Sequence, residues 1–199
     1  MAVEQQGTRE AILEQAITAI EEGGEASVRV AVIAANVGVA VTAIYHHFGS
    51  RDGLVESALA ERYLRSIMNL QPRTSEFLES ISTREEFEAG LKILVDELAQ
   101  PVRYAQRMIR VQVVAGSAGR PGLMEKVKEM QLFAVRQQAG LYRIAQEKGF
   151  ISATLDVEAF ASMLTCLVFG RVLQDMVVGE IDDQAFNELM LKALLGMID

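Results

Sequence analysis

The sequence has no tryptophan, one cysteine, three prolines and two histidines among 199 residues. Each scarcity removes a class of reading. A single thiol, Cys166, cannot close an internal disulfide, which sets aside a stapled extracellular scaffold and makes a reducing cytoplasm the expected location. Three prolines leave most of the chain free to be helical. The two histidines are adjacent, at 46 and 47, and helical neighbours point about 100° apart, so they cannot chelate one metal as an i,i+4 pair does. No CxxC or HExxH accompanies them, and no metal site is expected. The strongly apolar run without charge from Ala159 to Gly170 is too short to cross a bilayer, and no basic-then-apolar leader opens the chain. Neither membrane association nor export is expected. Also missing are a Gly-rich phosphate loop, a GxSxG elbow and any histidine available to a distant nucleophile. The carboxylates fall on amphipathic faces, where solvation accounts for them. The chain is expected not to be an enzyme and to need no cofactor.

Positive charge is scarce as well. The net charge is −8 and the first 91 residues contain no lysine, with a pI near 4.9. Such a chain does not bind nucleic acid by bulk charge. Residues 1–63 hold four arginines against nine carboxylates, a balance of −5. The distribution is uneven, however. From Ala26 to Arg51 there is no acid, only Arg29 and Arg51, and the carboxylates crowd to either side. One weakly positive window therefore lies on an acidic body.

That window holds the most specific pattern in the chain. Ala34, Gly38 four residues later and Ile44 six after that have the spacing of two helices crossing at a tight turn. Ala34 is the small contact, Gly38 the residue free to take positive φ, and Ile44 the apolar anchor of the second helix. Tyr45-His46-His47-Phe48 and Gly49-Ser50-Arg51 follow, with phosphate-type donors at the helix C-terminus.

These residues resemble the signature of the TetR-type bacterial transcriptional repressors, which is similar to Gly-Val-Ser-x-x-Thr-Leu-Tyr-x-His-Phe-x-Ser-Lys-x-x-Leu. Gly38, Val39, Tyr45, His47, Phe48, Ser50 and Leu54 stand in matching positions. Ile44 replaces Leu and Arg51 replaces Lys. Ala40 stands where the family has a capping Ser, and Ala43 where it has a phosphate-binding Thr. The match covers roughly residues 8 to 59; beyond it only helical character and length are similar.

The resemblance implies an all-α protein: a three-helix helix-turn-helix domain over residues 1–49, and a helical ligand-binding and dimerisation domain over 50–199, joined by a connecting helix from Ser50 to Leu70. It implies a dimeric repressor that binds double-stranded operator DNA and is released by a small apolar or weakly anionic effector. The DNA contacts expected are Arg29, Val41, Thr42, Ala43, Tyr45, His46, His47 and Arg51. Thr42 is the polar base reader, Val41 and Ala43 suit thymine methyls, and Tyr45, His47 and Arg51 hold phosphates. The acidic N-terminal half and the Ala40 and Ala43 departures motivate an alternative, a dimeric helical small-molecule or protein-binding module that has lost DNA binding.

The rest of the chain reads as helices. Apolar spacing predicts helices over about Thr8–Glu22, Val30–Val37, Val41–Phe48 and Ser50–Leu70, then a loop over Gln71 to Ser75. Thr83-x-x-Glu86 is a capping box ahead of Phe87, Leu91 and Val95. Pro101 starts a helix broken between Gly116 and Gly122, and a long helix ends at Gly149. The segment from Asp156 to Val178 is apolar on nearly every side, which predicts burial in a core or against a partner. With the last helix, from about Asp183, it is the expected homodimer interface. Cys166 lies on it and is expected to be buried and inert. Met68, Tyr104, Met108, Met130, Phe133, Met163 and Phe169 are candidates for an apolar ligand cavity, because methionine repacks around varied shapes. Arg103, Arg107 and Arg110 line one helix face. A solvated face is the expectation there, and a face that holds an anionic effector the alternative.

Overall fold

The computed structural model describes residues 2–68 and 71–199. Its helices are α1 (Ala2–Gly23), α2 (Val30–Val37), α3 (Val41–Phe48), α4 (Arg51–Met68), α5 (Gln71–Ser80), α6 (Arg84–Ala99), α7 (Tyr104–Ser117), α8 (Pro121–Glu147), α9 (Val157–Asp175) and α10 (Asp183–Ile198). Short 3-10 turns cover Glu25–Ser27 and Pro101–Arg103. No strand occurs among the described residues; a lone bridge pairs Val178 with Ile181.

The chain divides into two compact units. The first comprises residues 1–65 and 113–130. Its helices α1, α2 and α3 pack on one another. Ile12, Ala16, Ile17 and Ile20 make the buried stripe of α1, Val30, Ile33 and Ala34 that of α2, and Ile44 that of α3. Leu54, Val55, Ala58 and Leu59 of α4 are buried too, as are Val113, Leu123 and Val127 from the returning segment. This unit is larger than residues 1–49, and the return of 113–130 has no signal in local periodicity. Charge pairs lie on its surface: Arg65 with Glu14 and Glu61, Arg62 with Glu21, Arg120 with Glu25.

The second unit comprises residues 66–112 and 131–199. Its core gathers Leu78 and Ile81, Phe87, Leu91 and Val95 of α6, Val135 and Ala139 of α8, Phe160 and Ala161 of α9, and Leu194 and Ile198 of α10. Phe87 stacks on Phe150 with centroids 5.7 Å apart. The capping box expected at Thr83 is formed, and side chains close two further helix starts. Thr83 and Glu86 form the capping box of α6, Asp156 caps α9, and Asp182 caps α10. Two backbone amides, of Ser82 and Thr83, hold the Glu86 carboxyl below its ordinary pKa. Gly149 ends α8 with φ +74°, and the Lys148 ammonium beside it donates to the carbonyls of Leu78 and Ile81, each at 2.8 Å. Those carbonyls lie at and just past the end of α5, where helix acceptors run out of intrahelical partners and a lysine can serve them.

Several expectations change. Residues 71–75 are helical, not a loop; Pro72 occupies the first turn of α5, where its missing N–H costs nothing. The break after α7 is only residues 118–120, with Gly116 and Gly122 inside helices. The connecting helix is seen to Met68, and its expected end at Leu70 lies outside the described residues. Cys166 is exposed rather than buried. On α9 the burial belongs to one face: Phe160 and Ala161 are buried, whereas Leu167 and Leu173 are exposed. By length and hydropathy α9 passes for a membrane span. It nevertheless carries Arg171, buried and bonded to Asn187 and Asp183 of α10.

Candidate functional site

In the first unit, α2 and α3 are set at 108° to each other, within the range of helix-turn-helix pairs. The three residues singled out by spacing do the work assigned to them. Ala34 is 3% exposed and Ile44 fully buried. Gly38 has φ +75° and its N–H reaches the carbonyl of Ala34. A left-handed residue at that point lets the chain reverse within three residues, and any side chain there would strain it.

With Ile44 as the inward anchor, α3 presents Val41, Thr42, Tyr45 and His46 outward. These positions, i, i+1, i+4 and i+5, form one exposed strip along the helix. Ala43 and His47 are half-buried and lie off it. The His47 ring meets those of His46 and Phe48 edge-on, at 5.6 and 6.2 Å. Ala40 gives α3 no side-chain cap. Arg29 is exposed at the start of α2. Arg9 of α1 sits over the Phe48 ring, 5.3 Å from its centroid, which brings a guanidinium to the C-terminal end of α3. Sequence spacing could not show that approach, since it spans 39 residues of chain.

Arg51 is differently employed. Its Nε donates to the carbonyl of Val28 at 2.9 Å and its Nη2 to that of Glu25 at 2.6 Å. Nη1 faces Asp52 at 3.3 Å. The guanidinium thereby ties the start of α4 to the turn ahead of α2. Ser50 caps that start by accepting the Gly53 N–H.

The second unit contains a cavity of about 110 Å³. Leucines of α6, Leu141 and Tyr142 of α8, and Phe160 and Leu164 of α9 make its apolar walls. A second cavity of about 450 Å³, lined by Phe77, Leu78, Phe87 and Ile93, shares Thr74, Leu91, Leu94 and Tyr142 with the first. None of Met68, Tyr104, Met108, Met130, Phe133, Met163 and Phe169 lines either cavity. Tyr104 and Phe133 are exposed, and Met163 packs against the core cluster. Helical spacing identified methionines as apolar but not which face of each helix turns to a void.

The arginine face of α7 is the opposite of solvated. Arg107 is 2% and Arg110 6% exposed, and with Arg103 both line the smaller cavity. Arg107 forms a two-pronged pair with Asp175, Nη2 to Oδ1 at 2.6 Å. Arg103 meets Glu97 at 3.3 Å. Tyr142 is enclosed between the cavities, and burial raises its phenol well above the ordinary value, so it remains a hydroxyl at neutral pH.

Comparison with known proteins agrees with this architecture. Residues 12–58 match the family model of bacterial regulatory proteins, tetR family. Over 198 residues the chain is 25% identical to the HTH-type transcriptional regulator UidR of Escherichia coli (strain K12), covering 100% of this chain and 96% of that protein. Among solved structures, a Rhodococcus sp. protein of the TetR family of transcriptional regulators is 25% identical with a TM-score of 0.62, over 96% of this chain and 98% of that one. A transcriptional regulator from Saccharomonospora viridis in complex with choline is 22% identical with a TM-score of 0.55, over 96% of each chain.

Proposed function

We propose that this chain, similar to TetR-family regulators in sequence and fold, is a cytoplasmic homodimeric repressor whose grip on operator DNA is released by a small molecule. The observation that carries the reading is the exposed strip Val41-Thr42-Tyr45-His46 on a helix anchored by fully buried Ile44. A helix held rigidly from behind, with short and amphipathic side chains in front, suits the major groove. Thr42 reads a base edge, and Val41 meets a thymine methyl. Tyr45, Arg29 and Arg9 hold phosphates, which fix register without reading sequence. Ala43 and His47 are second-rank contacts because they lie beside the strip. Arg51 drops out of the phosphate set, its donors already given to carbonyls.

The second unit receives the effector and forms the dimer through α9 and α10. A fold neighbour holds choline, which supports a small-molecule site in this architecture, and the cavities beside α6 are the site in this chain. In a two-fold dimer the recognition helices meet adjacent major grooves about 34 Å apart. An effector that changes their separation by a few ångströms breaks that register.

A selection of bound fragments from genomic DNA, followed by gel shifts, tests the reading. A palindromic site bound far more tightly than random DNA supports it. The acidic balance of residues 1–63 favours the second reading, a binding module without DNA affinity. Failure to shift any fragment would establish that one instead.

A further inference from the structure

Among the polar side chains that line the two cavities of the second unit, all but one are already engaged. Arg107 is paired to Asp175 and gives its remaining nitrogen to the Leu98 carbonyl. Arg103 is shared between Glu97 and the Gln106 side chain, each at 3.3 Å. Thr165 meets Gln138 at 3.3 Å and donates to the Ala161 carbonyl at 3.0 Å. Ser66, Thr74, Gln106 and Arg110 have partners as well. The exception is Tyr142, which lines both cavities and whose phenol has no hydrogen-bond partner among the described residues. Its ring is held edge-on by Phe160, with centroids 5.0 Å apart. Enclosure keeps the group a hydroxyl, able both to donate and to accept. A hydroxyl withdrawn from water without a partner is costly, and a ligand oxygen beside it removes that cost. The rest of the lining is apolar on both sides of Tyr142. Together the two voids reach the usual size of small-molecule sites, roughly 300–1,000 Å³.

We propose that the site takes an uncharged, largely hydrocarbon molecule with a single oxygen function between two apolar arms, such as an internal ketone or an ester, its oxygen on the Tyr142 hydroxyl and one arm in each cavity. This rests on the reading that these cavities receive the effector. An anion would have to draw donors from Arg107 or Arg103, and Asp175 or Glu97 would then lose its partner. A cation would meet three arginines, and the one carboxylate in the two linings, Glu97, is already paired. A sugar or polyol would bring more donors and acceptors than the linings leave open, and each unmatched one would be buried at a cost. A pure hydrocarbon would leave the phenol facing apolar groups. The oxygen belongs near the middle of the ligand because Tyr142 is common to both cavities.

The experiment compares probes of equal carbon number. Full-length protein is titrated by calorimetry with dibutyl ketone, whose carbonyl is central, with its isomer methyl heptyl ketone, and with nonanoate and nonylamine. Dibutyl ketone is expected to bind several-fold more tightly than its isomer, and at least about tenfold more tightly than either charged probe, whose ion the site leaves unmatched. In Y142F its affinity should fall roughly two- to tenfold, the worth of one neutral hydrogen bond, and the preference over methyl heptyl ketone should vanish. The unliganded variant should melt no lower than the parent, because the hydroxyl removed bonds nothing in the described protein. A charged probe binding as tightly as dibutyl ketone overturns the proposal. So does the absence of binding by both ketones, equal affinity for the two, or an unchanged ketone affinity in Y142F. The four probes decide on the parent protein even if Y142F does not fold. Dibutyl ketone binding that leaves a bound operator fragment untouched removes the repressor-release reading and leaves the ligand class standing.

Discussion

Arg107 of α7 and Asp175, the last residue of α9, close a two-pronged ion pair with side chains only 1% and 8% exposed. The remaining Nη1 donates to the carbonyl of Leu98 at 2.8 Å. Two charges taken out of water are tolerated because each is fully engaged. Removing one partner leaves the other buried and unmatched, which costs about 3–5 kcal/mol. D175N and R107M are each expected to lower the midpoint of chemical denaturation by that order. The double change R107M/D175N should recover a large part of the loss. A double-mutant cycle with no coupling would show that the pair is not a unit.

The arginine row on α7 shows where sequence reading ends. Its i, i+4, i+7 spacing put the three side chains on one face, and that is where they are. Periodicity does not say what the face meets. That depended on Glu97 and Asp175, the partners of Arg103 and Arg107, which lie 6 and 68 residues away along the chain. Cys166 failed for the same reason: an apolar neighbourhood in sequence became an exposed face in space. By contrast, Ala34, Gly38 and Ile44 were legible because a helix-turn-helix is local, with every contact inside about ten residues. The caps at Thr83, Asp156 and Asp182 were likewise set by neighbours two or three residues away. The start of α5 is not legible locally, because Gln71-Pro72-Arg73-Thr74-Ser75 suits a loop and a proline-containing first helical turn alike.

Arg51 and Arg29 should separate stability from docking. R51A breaks bonds to two carbonyls and is expected to destabilise the first unit by about 1.5–3 kcal/mol, the worth of charged hydrogen bonds. Its DNA affinity, corrected for the folded fraction, should change little. R29A should leave the melting temperature within about 1 °C, as an exposed substitution does, and weaken operator and random DNA alike. Salt dependence counts the contacts. With Arg9 and Arg29 from each protomer, the slope of log affinity against log salt is expected near −4 per dimer. A slope near −8 would require basic contacts from elsewhere in the chain.

The capping box predicts an acid-sensitive helix start. Glu86 is held below its ordinary pKa of 4.5 by the amides of Ser82 and Thr83. A carboxyl whose folded pKa lies below its unfolded one stabilises the fold above the unfolded value, and that stabilisation is lost as pH falls through the folded value. At neutral pH, E86Q should therefore melt below the parent protein. The gap should narrow as pH drops below 4.5 and close once both side chains are uncharged. A gap independent of pH would mean that the amide of glutamine caps as well as the carboxylate, or that the bonds to Ser82 and Thr83 contribute nothing.

The exposed faces of α9 and α10 carry the dimer prediction. On α9 the outward strip runs Ser162, Cys166, Gly170 and Leu173; on α10 it runs Ala185, Leu189, Ala193 and Gly196. Leu173 is 67% and Leu189 68% exposed, a cost an isolated chain has no reason to bear. The small residues between them have a geometric use, since Gly, Ala, Ser and Cys let two helix backbones approach closely enough for the leucines to interlock. Light scattering at micromolar concentration is expected to give about twice the 21.8 kDa chain mass. L173E, which places a charge at the strip without touching the core of either unit, should return the mass to that of one chain while leaving the helical signal intact. Cys166 supplies an independent reading on the same face. Its thiol, open in the single chain, should react slowly with a maleimide in the parent protein and quickly in L173E. Equal rates in the two proteins, together with a single-chain mass for the parent, would remove α9 and α10 as the interface.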